Sequence, residues 1–299
     1  MPESSPNYVG RLAPSPTGLL HLGHARTFWI ALERARAAGG KLWLRDEDLD
    51  PQRSRPEFSA AMKGDLRWLG ISWDAELRQS DRLALYRAAM QQLLASGLAY
   101  PCICSRRDLA QSIAAPHDDD DEPIYNGRCR PSSDAVILSA APERSDGAKS
   151  KDPDAASPVD TGSAFSNLKP HTNYRFRIPT NDPVTFTDVS AGSQTFTPSL
   201  DFGDFLLWRK DNLPSYQLAC VVDDAAMGIT EVVRGRDLLK STARQILLQR
   251  ALSLPTPTYY HCDLMRDATG VRLAKRHDAL SLRTLRDRGL TPAQVRAMF

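Results

Sequence analysis

The sequence predicts an α/β chain in which one parallel sheet is interrupted by an inserted domain. Two features of the pattern lead there. Over the first hundred residues short β-rich runs alternate with longer helical patterns, as βα units do, and the alternation resumes after residue 205, beyond a stretch of different character. At 299 residues, 41% apolar and 25% charged, the chain has room for two modest domains or one large one and an ordinary globular composition, which excludes fibrous, collagenous and wholly disordered classes. No run approaches the roughly 18 consecutive apolar residues of a membrane span. Residues 1–6 carry neither a basic n-region nor an apolar h-region, so a cytoplasmic, reducing setting is expected, where five cysteines point to metal binding or free thiols.

Residues 8–13 and 41–46 read as strands. Between them, 24–38 places Ala25, Phe28, Trp29, Leu32 and Ala35 at helical spacing and stops at Gly39 and Gly40. Helical patterns follow at 56–69 and 81–96, the second closed by Gly97, which completes half of a nucleotide-binding sheet. Residues 101–132 bring Cys102, Cys104, Cys129 and an acidic run at 118–122. Residues 139–170 are rich in Ser, Pro, Asp, Ala and Lys, bury too little to repay ordering, and read as a mobile insertion. Short antiparallel strands are expected at 174–178, 184–189 and 194–196. The βα pattern then resumes with strands at 205–209, 230–234 and 259–262 and a helix at 238–252. Cys220 and Cys262 fall in this strand-like part and are expected in the core. The division is thus 1–100 as the first half of a catalytic domain, 101–205 as the insertion, 206–262 as the second half, and 263–299 as a polar loop and short basic helical C-terminus.

Pro14-Ser15-Pro16-Thr17-Gly18-Leu19-Leu20-His21-Leu22-Gly23-His24 sits where a strand hands over to a helix. Such a turn aims free N–H groups and the positive end of the helix dipole at its ligand, which favours phosphate. Gly23 lets a flat base approach the backbone, and the imidazoles of His21 and His24 can donate to phosphate oxygens as charge builds up. Far along the chain, Arg272-Leu273-Ala274-Lys275-Arg276 follows Gly270 in a polar loop after the last predicted strand. Taken alone, either motif has a plain structural reading, as a helix start or a solvated basic loop. Together, in this order and separation, they resemble the class I aminoacyl-tRNA synthetases. There a His-Ile-Gly-His signature opens a Rossmann fold and a Lys-Met-Ser-Lys-Ser loop closes over ATP. The resemblance makes His21, His24 and Lys275 the catalytic candidates and His21, Gly23, His24, Arg272 and Lys275 the ATP-binding ones, with Mg²⁺ accompanying ATP.

Residues 11–18, the run Arg45-Asp46-Glu47-Asp48-Leu49-Asp50-Pro51, and Tyr216 to Asp224 with 229–237 are similar to the glutamate-specific branch of that family. A substrate with two carboxylates and one ammonium needs cations for the acids and an anion for the amine, and arginine binds carboxylate bidentately. By resemblance Arg11 and Arg234 hold the side-chain carboxylate and Glu47 the α-ammonium, while Ser15 and Tyr216 complete the pocket. The competing reading is an ion-pair cluster among Arg11, Arg45, Asp46, Glu47 and Asp48. At the position of Cys220 the full-length enzymes usually carry asparagine, and only 23 residues follow Arg276, too few for an anticodon-binding region. Both departures are similar to the branch's truncated paralogues.

Cys102, Cys104 and Cys129 are three soft ligands of the kind zinc takes in a tetrahedron, separated by a loop of 20 residues between the second and Tyr125. Spacing alone leaves His117 and Tyr125 equally placed as the fourth ligand; Cys-x-Cys followed by Tyr-x-x-x-Cys resembles the zinc element of the short members, which favours Tyr125. The expected architecture is therefore a Rossmann-type parallel sheet interrupted by an inserted zinc-containing domain resembling an acceptor-binding domain, with the zinc structural. From Arg234 to Phe299 the net charge is +8 against +2 for the whole chain, which suits a polyanionic partner.

What the resemblance implies is a ligase that activates glutamate with ATP and transfers it to queuosine in the anticodon stem-loop of tRNA(Asp), acting as a monomer without a membrane. The alternatives are a minimal enzyme charging tRNA(Glu), a nucleotidyl transferase joining a small amine, and a catalytically decayed RNA-binding regulator.

Overall fold

A computed structural model describes residues 8–104, 124–132, 168–265 and 281–299. The chain opens with β1 (Val9–Leu12), α1 (Leu22–Ala37), β2 (Lys41–Asp46), α2 (Pro56–Leu69) and β3 (Ala75–Arg78), whose strands form a parallel sheet in the order β1-β2-β3. Helix α1 buries Ala25, Phe28, Ala31, Leu32 and Ala35, one stripe at helical spacing. It begins two residues before the sequence expectation because the His21 side chain caps its first turn. Beyond its end, a Cβ on Gly40 would lie 2.4 Å from the Tyr8 carbonyl oxygen, so only glycine admits the β1–β2 approach there. Strand β3 was not evident in the sequence: its four residues alternate between half-buried and exposed, with only Leu77 a large apolar residue.

A 3-10 turn (Gln79–Arg82) leads into α3 (Leu83–Ala95), so the expected helix at 81–96 starts later and is preceded by a tighter turn. Then β4 (Ala99–Cys102), β5 (Asn173–Phe176), β6 (Val184–Asp188), β7 (Gly192–Phe196) and β8 (Leu206–Trp208) follow. The antiparallel sheet β4-β5-β8 is a correction: residues 205–209 were expected among the resumed parallel strands, but β8 pairs antiparallel with β5. No helix stands between β7 and β8 to make the crossover that parallel pairing requires. Of the expected insertion 139–170, residues 168–170 are described, and Lys169 N–H donates to the Tyr174 hydroxyl at 2.7 Å; residues 139–167 lie outside the described residues.

The last part runs α4 (Tyr216–Ala226), β9 (Glu231–Gly235), α5 (Leu239–Ala251), β10 (Thr258–Cys262), α6 (Leu282–Asp287) and α7 (Pro292–Arg296). Strand β10 pairs in parallel with β9 and with β6, and β6 with β7 forms a hairpin, giving the order β7-β6-β10-β9. Strand β9 lies alongside β1, where Thr230 N–H donates to the Val9 carbonyl at 2.9 Å and the Arg11 guanidinium to the Val233 carbonyl at 3.0 Å. From β1 the chain builds outward through β2 and β3 on one side and through β9 and β10 on the other. Such a reversal is where open α/β sheets bind ligands, beyond the carboxyl ends of the strands.

Adjacent residues of β9 face opposite ways: Val233 packs with α1, α2 and the C-terminal helices, Val232 with α3, α4 and α5. Helices thus cover both faces. The basic C-terminal helices are partly turned onto the protein: Arg296 donates to the Leu69 carbonyl at 2.9 Å, and Arg286 reaches Asp65 at 3.5 Å. Among the described residues no helix is long and apolar enough to cross a membrane.

Candidate active site

The turn between β1 and α1 presents both histidines at a helix N-terminus. His21 Nδ1 accepts from Gly23 N–H at 3.1 Å, and His24 Nδ1 accepts from His21 N–H at 3.4 Å. A backbone N–H can only donate, so both Nδ1 atoms are bare and each neutral ring carries its proton on Nε2. The two half-buried rings lie 3.8 Å apart and offer Nε2–H donors of the kind a phosphate oxygen accepts. A Cβ on Gly23 would sit 3.1 Å from the His21 ring, so this glycine makes room for the folded-back imidazole itself.

Arg272 and Lys275 lie outside the described residues, but the chain on either side of 266–280 is fastened beside this turn. The Asp263 carbonyl accepts from Arg26 at 2.6 Å, Ser281 bridges His21, and Leu282 N–H donates to the Leu20 carbonyl at 2.8 Å.

Arg11, Ser15, Glu47, Tyr216 and Arg234 come together at the reversal point, from β1, the turn after it, the end of β2, the start of α4 and β9. Helix α4 organises them through one stripe, Tyr216, Cys220 and Asp224, spaced four residues apart. Arg234 Nη1 donates to the Tyr216 hydroxyl at 3.5 Å. Cys220 Sγ lies 3.6 Å from Glu47 Oε1 and 3.6 Å from Arg45 Nη2. Asp224 ion-pairs with Arg45 and lies 3.4 Å from Arg11 Nε. Cys220 is therefore a helix residue at the site, correcting its expected place in a strand of the core. Burial, its largest influence, and the neighbouring Glu47 push its thiol well up, so it stays protonated.

The arginine–carboxylate cluster resolves into separate partnerships. Arg45, fully buried, holds Glu47 Oε1 with two bonds at 2.9 and 3.2 Å, while Glu47 Oε2 has Ser15, at 3.5 Å, as its hydrogen-bond partner among the described residues. Burial would raise the Asp224 carboxyl, but Arg45 and then Arg11 outweigh it and hold it below the usual carboxylate range. Asp46 turns instead to Ser59 and Lys63, and Asp48 to Ser80 and Arg78. Arg11 spends Nη1 on a backbone carbonyl, and its buried Nε has no hydrogen-bond partner.

Arg234 differs from the others: although buried, it has no carboxylate within ion-pair distance among the described residues. Its Nε–H goes to His261 Nε2 at 3.2 Å and Nη2 to Thr242 Oγ1 at 2.7 Å. His261, Thr242, Arg45 and Asp224 were not singled out for these roles from the sequence. For Asp224 a signal existed, since it falls on the α4 stripe, and for Arg45 another, since Glu47 stands two residues on; His261 and Thr242 share no spacing with Arg234, the residue they hold.

The three cysteine sulfurs of Cys102, Cys104 and Cys129 lie within 4.8 Å of one another, with Cys104 to Cys129 at 3.6 Å. The Tyr125 hydroxyl lies among them, 3.6 Å from Cys102 Sγ and 3.7 Å from Cys104 Sγ. Zinc–sulfur bonds of about 2.3 Å in a tetrahedron place sulfurs about 3.8 Å apart, so this donor set fits the ion. Burial pushes the Cys104 thiol up to about 11; at Cys129 the same influence is outweighed by hydrogen bonds, first with Tyr125, which bring it to about 7. Arg175 backs the group, with Nε 3.4 Å from Cys102 Sγ and its guanidinium 4.1 Å over the Tyr125 ring. His117 lies outside the described residues.

The model of the family "tRNA synthetases class I (E and Q), catalytic domain" matches residues 8–153 and 160–298. A Glutamyl-Q tRNA(Asp) synthetase of Symbiobacterium thermophilum is 43% identical over 296 residues, covering 96% of this chain and 83% of that protein. One from Rhodobacter capsulatus is 40% identical over 302 residues, covering 97% of this chain and 99% of that protein. Among solved structures, a glutamate tRNA ligase from Elizabethkingia meningosepticum in complex with its amino acid aligns with a TM-score of 0.70 at 28% identity. The match covers 91% of this chain and 52% of that one, so the chain spans about half the ligase's length.

Proposed function

The chain belongs to the class I tRNA synthetases of the E and Q type, and from that premise we propose that it is a ligase that activates glutamate with ATP and transfers it to queuosine in the anticodon of tRNA(Asp). The observation that carries the glutamate part is the charge layout of the pocket. Arg234 is a buried cation with no carboxylate on it among the described residues, and Glu47 is a buried anion with one oxygen open beside Ser15. A ligand with a carboxylate at one end and an ammonium at the other completes both.

In this reading Arg234, with Arg11 and the Tyr216 hydroxyl, takes the side-chain carboxylate, and Glu47 Oε2 with Ser15 takes the α-ammonium. The α-carboxylate then attacks the α-phosphate of ATP in line and pyrophosphate leaves. The Nε2–H groups of His21 and His24 donate to the phosphate oxygens as their charge rises, an electrostatic frame that costs no reorganisation. Arg272 and Lys275 add cations from the 266–280 loop by resemblance, and Mg²⁺ travels with the ATP phosphates. A queuosine hydroxyl next attacks the adenylate carbonyl, expelling AMP. The identity of this acceptor is taken from the relatives' names and motifs.

Cys102, Cys104, Tyr125 and Cys129 would hold a structural zinc, since four protein ligands leave no open position for a water. The parts are read as two halves of a catalytic domain, 1–100 and 206–262, around the zinc-bearing segment 101–205. Glutamate, ATP and tRNA are cytoplasmic compounds and one chain supplies every group named, so the proposed working unit is a cytoplasmic monomer.

The deciding measurement is exchange of labelled pyrophosphate into ATP, with and without tRNA, with glutamate, glutamine or aspartate offered. Exchange driven by glutamate and by neither of the others supports the reading. Exchange with glutamine, or with no amino acid, refutes it.

A further inference from the structure

Arg234 is gripped by a chain of buried groups that play no part in the proposed reaction as described so far. They are Asp188 at the end of β6, His261 in β10 and Thr242 in α5. The protonation of this chain is forced. A guanidinium has only donors, so the Arg234 Nε to His261 Nε2 contact at 3.2 Å requires Nε2 to be bare. The ring proton then sits on Nδ1 and goes to Asp188 Oδ2 at 2.6 Å. Burial, then the charge on Arg234, push the imidazole down to about 4, which keeps it neutral at physiological pH. Burial would raise Asp188, but the bond from His261 and then that from Ala191 N–H hold it below the usual carboxylate range. Its other oxygen, Oδ1, accepts from Ser190 N–H at 3.0 Å and Ala191 N–H at 2.7 Å, so the turn of the β6–β7 hairpin fixes the carboxylate.

We propose that Asp188 and His261 are positioning residues for the amino-acid site: Asp188 holds His261 in the Nδ1–H tautomer, and the bare Nε2 clamps Arg234 by its Nε edge. Thr242 fixes Nη2, and the Nη1 edge, whose described contact is the long one to Tyr216, is left to receive the substrate. The inference rests on the glutamate reading of the site. It also explains why the clamp is neutral. A carboxylate on Nε would cancel the guanidinium charge inside a poorly screened pocket, whereas an imidazole orients the fork and leaves its charge whole. That retained charge separates a carboxylate from the amide of the same shape, and so glutamate from glutamine.

Asp188→Asn is the diagnostic change because it keeps shape and alters one atom. An amide with its oxygen kept on the hairpin N–H groups presents NH₂ to His261 Nδ1. That drives the ring proton to Nε2, where it meets the Arg234 Nε–H donor to donor. Turned the other way, the amide sets NH₂ against the N–H groups of Ser190 and Ala191.

The test measures the KM for glutamate and for ATP separately in pyrophosphate exchange, beside ¹⁵N spectra of histidine-labelled protein. The variants are Asp188→Asn, His261→Gln, their combination, and His261→Leu, which leaves Asp188 and its turn in place. The wild type is expected to show a histidine that keeps its proton on Nδ1. Asp188→Asn and His261→Leu are expected to raise the KM for glutamate about 10- to 100-fold, leave that for ATP unchanged, and narrow the preference for glutamate over glutamine. His261→Gln, whose amide oxygen can accept the Nε–H without any tautomer, is expected to stay within about threefold of wild type, and in its background Asp188→Asn adds little. An unchanged KM for glutamate in both Asp188→Asn and His261→Leu, equal losses for glutamate and ATP, or additive effects in the double variant overturn the clamp. So does an Nε2–H tautomer at His261 in the wild type. A wild type that responds to another amino acid overturns the glutamate reading instead, and the spectra still report the tautomer.

Discussion

Arg234 is the position at which the site's chemistry is most exposed to a single change. Its charge is buried and answered within the described protein by neutral oxygens, an imidazole and the Tyr259 ring but by no carboxylate at ion-pair distance, so in the proposed reading the ligand's carboxylate is its counter-ion. Truncation to alanine leaves that carboxylate buried without its guanidinium, a loss of about 3 to 5 kcal/mol or roughly two to four decades of affinity. Arg234→Ala is therefore expected to raise the glutamate concentration needed for pyrophosphate exchange by at least about 100-fold while ATP binding, followed by calorimetry, stays as in the wild type. A parallel loss of ATP affinity would show that Arg234 serves the nucleotide. At this scale the family resemblance singled out Arg11, Arg234 and Glu47, whose charges suit a dicarboxylate amine, and the fold places all three at the reversal point. Arg45 was legible as one member of an ion-pair cluster, and it does pair with Glu47 two residues on; the sequence was silent on Thr242, Asp188 and His261, because each acts through another side chain brought close by the tertiary fold.

Among the elements, α1 shows one side chain serving two purposes that can be separated. His21 caps the helix through Nδ1, which leaves the ring proton on Nε2. Asparagine is among the best capping residues, so His21→Asn is expected to keep the melting temperature within about 2 °C of wild type while exchange activity falls by at least about tenfold. A variant that melts early would place the histidine's value in the cap. The cysteine element allows a similar separation. One zinc per chain is expected in protein purified without chelator, and Cys104→Ser is expected to lose most of it; zinc content unchanged in that variant sinks the assignment. Tyr125→Phe tests the fourth ligand, since a ring without its oxygen keeps the packing against Arg175 and removes only the donor. Strong helical stripes such as 56–69 were legible to the residue. The helix carrying Tyr216 and Cys220 was not evident in the sequence, where its run of Leu218 to Val222 is as apolar as a strand; eight of its eleven residues are buried. Strand β3 offers one large apolar residue, Leu77, and β4 has Pro101 within it, so neither shows a β-rich run.

For the whole molecule the open question is which nucleoside receives the glutamyl group. The reversal point lies where β1 and β9 adjoin, with the helix-start histidines in the turn that follows β1 and Arg234 on β9. Such a site can serve any acceptor that presents a vicinal diol to an adenylate, and both the 3′-terminal ribose of a tRNA and the cyclopentenediol of queuosine do so. Chemistry alone therefore leaves two acceptors, and likeness divides them. Identity alone does not separate them, since glutamate–tRNA ligases reach 38% and 40%; the share matched does, because relatives named for glutamyl-queuosine formation, at 40% and 43%, are covered over 99% and 83% of their length and those ligases over 54% and 57% of theirs. The expected acceptor is queuosine in tRNA(Asp). Charging with labelled glutamate is compared on tRNA from cells able and unable to make queuosine, and each tRNA is also treated with periodate beforehand, which cleaves free vicinal diols. Label is expected only on queuosine-containing tRNA(Asp), and periodate treatment should abolish it. A nuclease that releases the 3′-terminal nucleoside then locates the ester, since label on queuosine stays with the anticodon fragment. Label that appears on queuosine-free tRNA, on tRNA(Glu), or on the released terminal nucleoside identifies the chain as an enzyme that charges tRNA at its 3′ end.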